Sequence, residues 1–125
     1  MSAVQEGRRY LSNAKEILRE KARKEDGYYE DPKYVKMAGH TAYTGILLVL
    51  DDLFGKKTKG RKDVDWYKQQ LASMDKKVLN SFSTAYQVLH LDMAYDGARN
   101  ADLAKLGLEE AERIISWVET RTAVA

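Results

Sequence analysis

Apolar positions recur at intervals of three and four residues in four long stretches and one short one, and nowhere alternate convincingly residue by residue. Gly7, Tyr10, Leu11, Ala14, Ile17 and Leu18 share one face of a helix predicted from about Ala3 to Lys24. Ser2 and Gln5 have the spacing of a capping box, in which the hydroxyl accepts an amide three residues on and the Gln side chain reaches back. Glu20 and Lys24 form an i,i+4 pair in the favourable order. The stretch Glu25-Asp-Gly-Tyr-Tyr-Glu30 breaks the period and reads as a tight turn. Asp31 and Pro32 open the second helix: the carboxylate accepts free first-turn amides, and proline at the first helical position sacrifices no hydrogen bond.

That second helix is predicted to reach Phe54 and stop at Gly55. Tyr34, Ala38, Thr41, Ala42, Gly45, Leu48 and Val49 fall on one narrow face of mostly small residues, which admits a neighbouring helix at close range. Tyr43, Leu47, Leu50 and Phe54 form a second apolar strip on the other side. A helix apolar on both sides is either central or also at a subunit interface. We therefore expect a homodimer or higher homo-oligomer with Tyr43, Leu47 and Leu50 as candidate interface residues. A short helix capped by Asp63 follows, to about Ser73, carrying Trp66 and Leu71. A third long helix runs from about Asp75 to Asp96, its main face built by Val78, Leu79, Phe82, Ala85, Tyr86, Leu89 and Met93. Asn100 caps the last, from Ala101 to about Arg121. The fold expected is all-α: a four-helix up-and-down bundle with one short extra helix.

Length and composition narrow this further. A chain of 125 residues, 44% hydrophobic and 32% charged, is one domain (1–125) able to bury its own core. The absence of Cys excludes disulfides, zinc–thiolate sites, iron–sulfur clusters and cysteine nucleophiles. The N-terminal residues lack a signal-peptide h-region and no apolar run is long enough for a bilayer, so a cytoplasmic protein without a membrane is expected. The net charge of +2 hides an asymmetry: residues 1–62 hold 14 Lys and Arg against 9 Asp and Glu, residues 63–125 hold 7 against 10. The excess centres on Lys56, Lys57, Lys59, Arg61 and Lys62, a loop that either touches a phosphate backbone or is a solvated connector.

Little in the sequence carries catalysis. His40 and His90 are the only side chains whose ordinary pKa suits proton transfer near neutrality, and neither belongs to a recognisable triad. No Glu-x-x-His occurs, and the ligand spacing of a metal site is missing, so no metal and no cofactor are expected. Asp52 projects near the Tyr34/Gly45 face and is expected to close the bundle end through a hydrogen bond. Gly55-x4-Gly60-Arg61-Lys62 departs from the phosphate-binding loop pattern: a helix precedes it, and Arg and Lys stand where Lys and a hydroxyl are needed.

Two blocks bear a resemblance. Residues 38–55, AGHTAYTGILLVLDDLFG, resemble the second helix of HEPN-like bacterial helical bundles, and residues 91–100, LDMAYDGARN, resemble the segment entering their last helix. With the helix order, the likeness covers about residues 3–121, and it is closest to a bacterial family of unknown function with this fold. The resemblance implies either an RNA-cleaving toxin of a toxin–antitoxin system or a non-catalytic partner of a nucleotidyltransferase. Arg99-Asn100 matches the opening of the ribonuclease motif, but Ala104, Lys105 and Leu106 stand where its histidine belongs. The expectation is therefore a non-enzymatic protein acting through self-association or a protein partner. The alternative is a degenerate RNA- or nucleotide-binding module using Arg99, Asn100, Lys105 and the 56–62 loop. A third, an RNA-cleaving enzyme, has His90 standing in for the missing histidine.

Overall fold

A computed structural model describes residues 1–55 and 62–122 of the chain. The order is α1 (Ala3–Glu16, continued by a π-helical stretch Ile17–Ala22), β1 (Lys24–Glu25), β2 (Tyr28–Tyr29), α2 (Pro32–Phe54), α3 (Val64–Ala72), α4 (Lys76–Ala85, continued by a π-helical stretch Tyr86–Tyr95) and α5 (Ala101–Thr122). The protein is essentially all-α, the described residues forming four long helices and one short one, as the periodicity predicts. Among the described residues, no helix is long and apolar enough to cross a membrane.

The caps form where local chemistry demands them. The Ser2 hydroxyl accepts from the Gln5 amide and the Gln5 side chain accepts from the Ser2 amide, both halves of the capping box. Asp31 accepts from Lys33 N, Asp63 from Trp66 N, and Asp75 from Lys77 N and Val78 N.

The segment expected to be only a turn is a β-hairpin. Asp26 (φ 51°) and Gly27 (φ 83°) both take the left-handed region, the geometry of a type I′ turn, and Lys24 and Glu25 pair with Tyr29 and Tyr28. Two-residue strands show no alternation, so periodicity is blind to them.

α2 is central: α1, the π-helical ends of α1 and α4, and α5 all pack on it. Val35, Ala38, Ala42, Ile46, Val49 and Leu50 have no exposed surface. Its second strip is used up inside the chain, which corrects the expected interface. Tyr43 is 8% exposed, its ring 4.7 Å from His90 and 5.9 Å from Tyr86, while Leu50 is 0% exposed. Phe54 takes the edge of Trp66 from α3 at 5.6 Å. Here α4 over Tyr43 and α3 over Phe54 supply apolar cover expected from a second copy; Leu47 and Phe54 stay half-buried.

The closing of the bundle end also differs. Asp52 is exposed, with no hydrogen bond or ion pair among the described residues, whereas Asp51 accepts from the Tyr67 hydroxyl at 2.6 Å and lies 3.5 Å from Lys62 Nζ. Burial, followed by the Asp51 hydrogen bond, holds the Tyr67 phenol well above its ordinary pKa.

Candidate functional site

Three regions gather the residues with chemistry to offer. The first is the corner where the hairpin meets α5. Tyr29 N donates to Arg99 O at 2.8 Å, Ala101 N donates to Gly27 O at 2.9 Å, and Tyr28 bridges to Asn100. Arg99 Nε donates to the Tyr29 carbonyl at 2.6 Å, and the Asn100 side-chain oxygen accepts from Asp102 N and Leu103 N. The two residues singled out as a nuclease remnant thus have structural work: Arg99 pins the hairpin and Asn100 caps α5. The cap was legible in the sequence; the pinning was not, because Tyr29 lies far from Arg99 along the chain.

Next to this corner, α1 and α5 part. Where α1 begins, Arg8 clamps the two helices, donating to Glu119 (2.9 Å), Ser116 (3.2 Å) and Glu112 (3.3 Å). The Glu119 hydrogen bond leads the interactions that raise the Arg8 pKa further. Where α1 ends, a groove of about 810 Å³ opens, with Lys15, Arg19 and Lys24 on one wall and Asp102, Lys105 and Glu109 on the other. Of the proposed contact trio, all three exposed, Lys105 is the one that lines this groove. Lys62 lies elsewhere, its side chain 21% exposed: the amine donates to Gly55 O at 3.3 Å and sits 5.2 Å over the Trp66 ring. It anchors the end of α2 and does not present a free cation. Lys56, Lys57, Lys59 and Arg61 lie outside the described residues.

The second region surrounds His90 in the π-helical part of α4. Its ring centroid is 4.7 Å from Tyr43, 5.3 Å from Tyr86 and 5.2 Å from Tyr95. Nδ1 is the one buried side-chain N or O atom without a hydrogen-bond partner among the described residues. Burial, then the neighbouring His40, lowers the His90 pKa, so the ring is neutral near pH 7. Among the described residues no Ser or carboxylate hydrogen-bonds to it.

The third region is the outward stripe of α2, where Met37 is 46% exposed, His40 is exposed, and Thr41, Thr44, Leu47 and Leu48 are half-buried. From Met37 through Leu50 no residue carries a formal charge. Thr41 and Thr44 turn their hydroxyls back onto the carbonyls of Met37 and His40, each at 2.8 Å. Each hydroxyl has thus spent its proton within the helix. A shallow depression of about 540 Å³ lies at its far end, lined by Ala3, Thr44, Leu47, Leu48, Asp51, Asp52 and Gly55. Sequence reasoning credited Leu48 and Thr41 to the inner face; the signal it passed over was the missing charge.

Comparison with known proteins adds a family and no reaction. A search of curated proteins returns no match. The chain is similar to a solved structure, a protein of unknown function from Dyadobacter fermentans, with 66% identity over 95% of each chain and a TM-score of 0.92. Residues 2–120 match the domain of unknown function DUF5618, and the chain belongs to that family.

Proposed function

We propose that this protein is a non-enzymatic helical-bundle module that acts by self-association, through the outward stripe of α2. One observation carries the reading: in a chain that is 32% charged, the solvent side of its central helix runs from Met37 through Leu50 without a charge. Water gains little from such a stripe, and covering Met37, Leu47 and Leu48 removes apolar area at about 25 cal/mol per Å². The threonine hydroxyls add little desolvation cost, because their donors stay bonded within the helix. A second copy is the occupant favoured, since an uncharged face meets itself without like-charge repulsion. Sedimentation velocity at tens of micromolar, the range in which about micromolar association is visible, is expected to show a dimer. Thr44→Lys, with its circular dichroism unchanged, is expected to sediment as a monomer; a wild-type monomer at that concentration overturns the reading.

The groove cations favour a second reading, a degenerate RNA- or nucleotide-binding module, because Lys15, Arg19, Lys24 and Lys105 converge there. Lys105 offers a phosphate a compact point charge on a flexible stem. Incubation with a mixed-sequence RNA is expected to leave the RNA uncleaved, with or without divalent metal. A salt-sensitive gel shift lost in Lys105→Glu moves the assignment to this reading. Cleavage lost in Arg99→Ala or His90→Ala refutes the non-enzymatic one.

A further inference from the structure

We infer that two copies pair antiparallel along α2, about a two-fold axis passing between Thr41 and Thr44, so that Lys33 of each copy meets Asp52 of the other. This rests on the self-association reading and gives it a geometry.

The charges that bound the stripe are the first argument. Lys33 stands in the first turn of α2 and Asp52 in the last, and the helix has no acidic residue in its first turn and no basic residue in its last. Both charges oppose the dipole of their own helix, which favours anions at the N-terminus and cations at the C-terminus. Among the described residues nothing offsets this for Asp52, whose side chain makes no hydrogen bond or ion pair there; Asp51 already holds Tyr67 and Lys62. Lys33 has no carboxylate partner among the described residues either, its amine resting 5.3 Å over the Tyr34 ring. An antiparallel neighbour reverses the sign of both defects. Each Lys33 then lies by the partner's helix C-terminus and each Asp52 by the partner's N-terminus.

Register is the second argument. Lys33 and Asp52, Met37 and Leu48, and Thr41 and Thr44 are three pairs placed symmetrically about one point of the helix. At 3.6 residues per turn all six lie within about 100° of its circumference. A single two-fold axis therefore brings opposite charges together at both ends, seats each Met37 against a Leu48, and packs threonine methyls at the centre. Parallel pairing would instead stack Lys33 on Lys33 and Asp52 on Asp52. The charged ends are about 28 Å apart at 1.5 Å per residue, beyond the roughly 8 Å screening length at physiological salt, so each end reports separately on the pairing.

Charge reversal on the full chain tests this by sedimentation. Lys33→Asp alone, and Asp52→Lys alone, turn two attractions into two repulsions and are expected to weaken the homodimer about tenfold. Mixing the two single variants, or combining both changes in one chain, restores opposite charges at each end and is expected to recover wild-type affinity. Both residues are exposed, so circular dichroism should be unchanged. A wild type that stays monomeric overturns self-association itself. A wild-type dimer that ignores the single reversals, or that the mixture does not rescue, overturns the antiparallel register alone.

Discussion

His90 shows how one side chain can be well packed and still carry a cost. Three tyrosine rings surround it, yet its buried Nδ1 has no partner among the described residues, and protonation would add a charge beside His40. Its folded pKa lies below the ordinary histidine value near 6.5. The unfolded chain therefore takes up the proton more readily. The contribution of neutral His90 to stability is present above about pH 6.5 and is lost as pH falls below it. Urea midpoints measured between about pH 5 and 8 are expected to fall towards acid in the wild type. In His90→Phe, which keeps a ring and removes the titrating nitrogen, the curve is expected to flatten; parallel curves would show that His90 is not responsible. The two histidines were conspicuous in the sequence, but the tyrosine cage was not, because Tyr43 and His90 sit on different helices.

At the scale of elements, what lay within a few neighbouring residues was readable and what depended on a partner was not. Each N-cap named from the sequence is made by the residue expected, since a cap is a contact over two or three positions. The hairpin escaped because its signal is the dipeptide Asp26-Gly27 and not a period. The π-helical stretches left no mark in the apolar pattern, and π-helix is rare enough that no periodicity argument reaches for it. Where α2 crosses the second of them, Gly39 is the point of contact: an added Cβ would stand 2.5 Å from the Leu89 carbonyl oxygen and 2.7 Å from Met93 Cβ. Alanine favours a helix by about 1 kcal/mol over glycine, but the obstacle here is backbone that cannot rotate away. Overpacking costs about 1–3 kcal/mol, occasionally more, so Gly39→Ala is expected to be net destabilising and to lower the urea midpoint. A variant as stable as wild type would show that the two helices can slide apart.

For the whole molecule, the fold class followed from helical periodicity, whereas the cover of each apolar strip did not. Tyr43 and Leu50 read as surplus hydrophobic surface because nothing in a one-dimensional pattern says that the α4 stretch folds over Tyr43 or that Leu50 is enclosed. For the same reason Asp52 was expected to close the bundle end, a task that Asp51 performs with Tyr67. The candidate site was legible only as a set of cations, of which Lys105 faces an open groove while Arg99 and Lys62 are engaged in holding elements together.

The two ends of the α1–α5 seam have a consequence for how the protein folds. Arg8 joins Glu119 across 111 positions of chain, and Arg99 joins Tyr29 across 70. Helical bundles ordinarily fold fast because their contacts are local. Both fastenings of this seam instead require a long loop to close before either yields any stabilisation. The long closure at that seam is expected to make the docking of α5 a late step, after α1 and α2 have met.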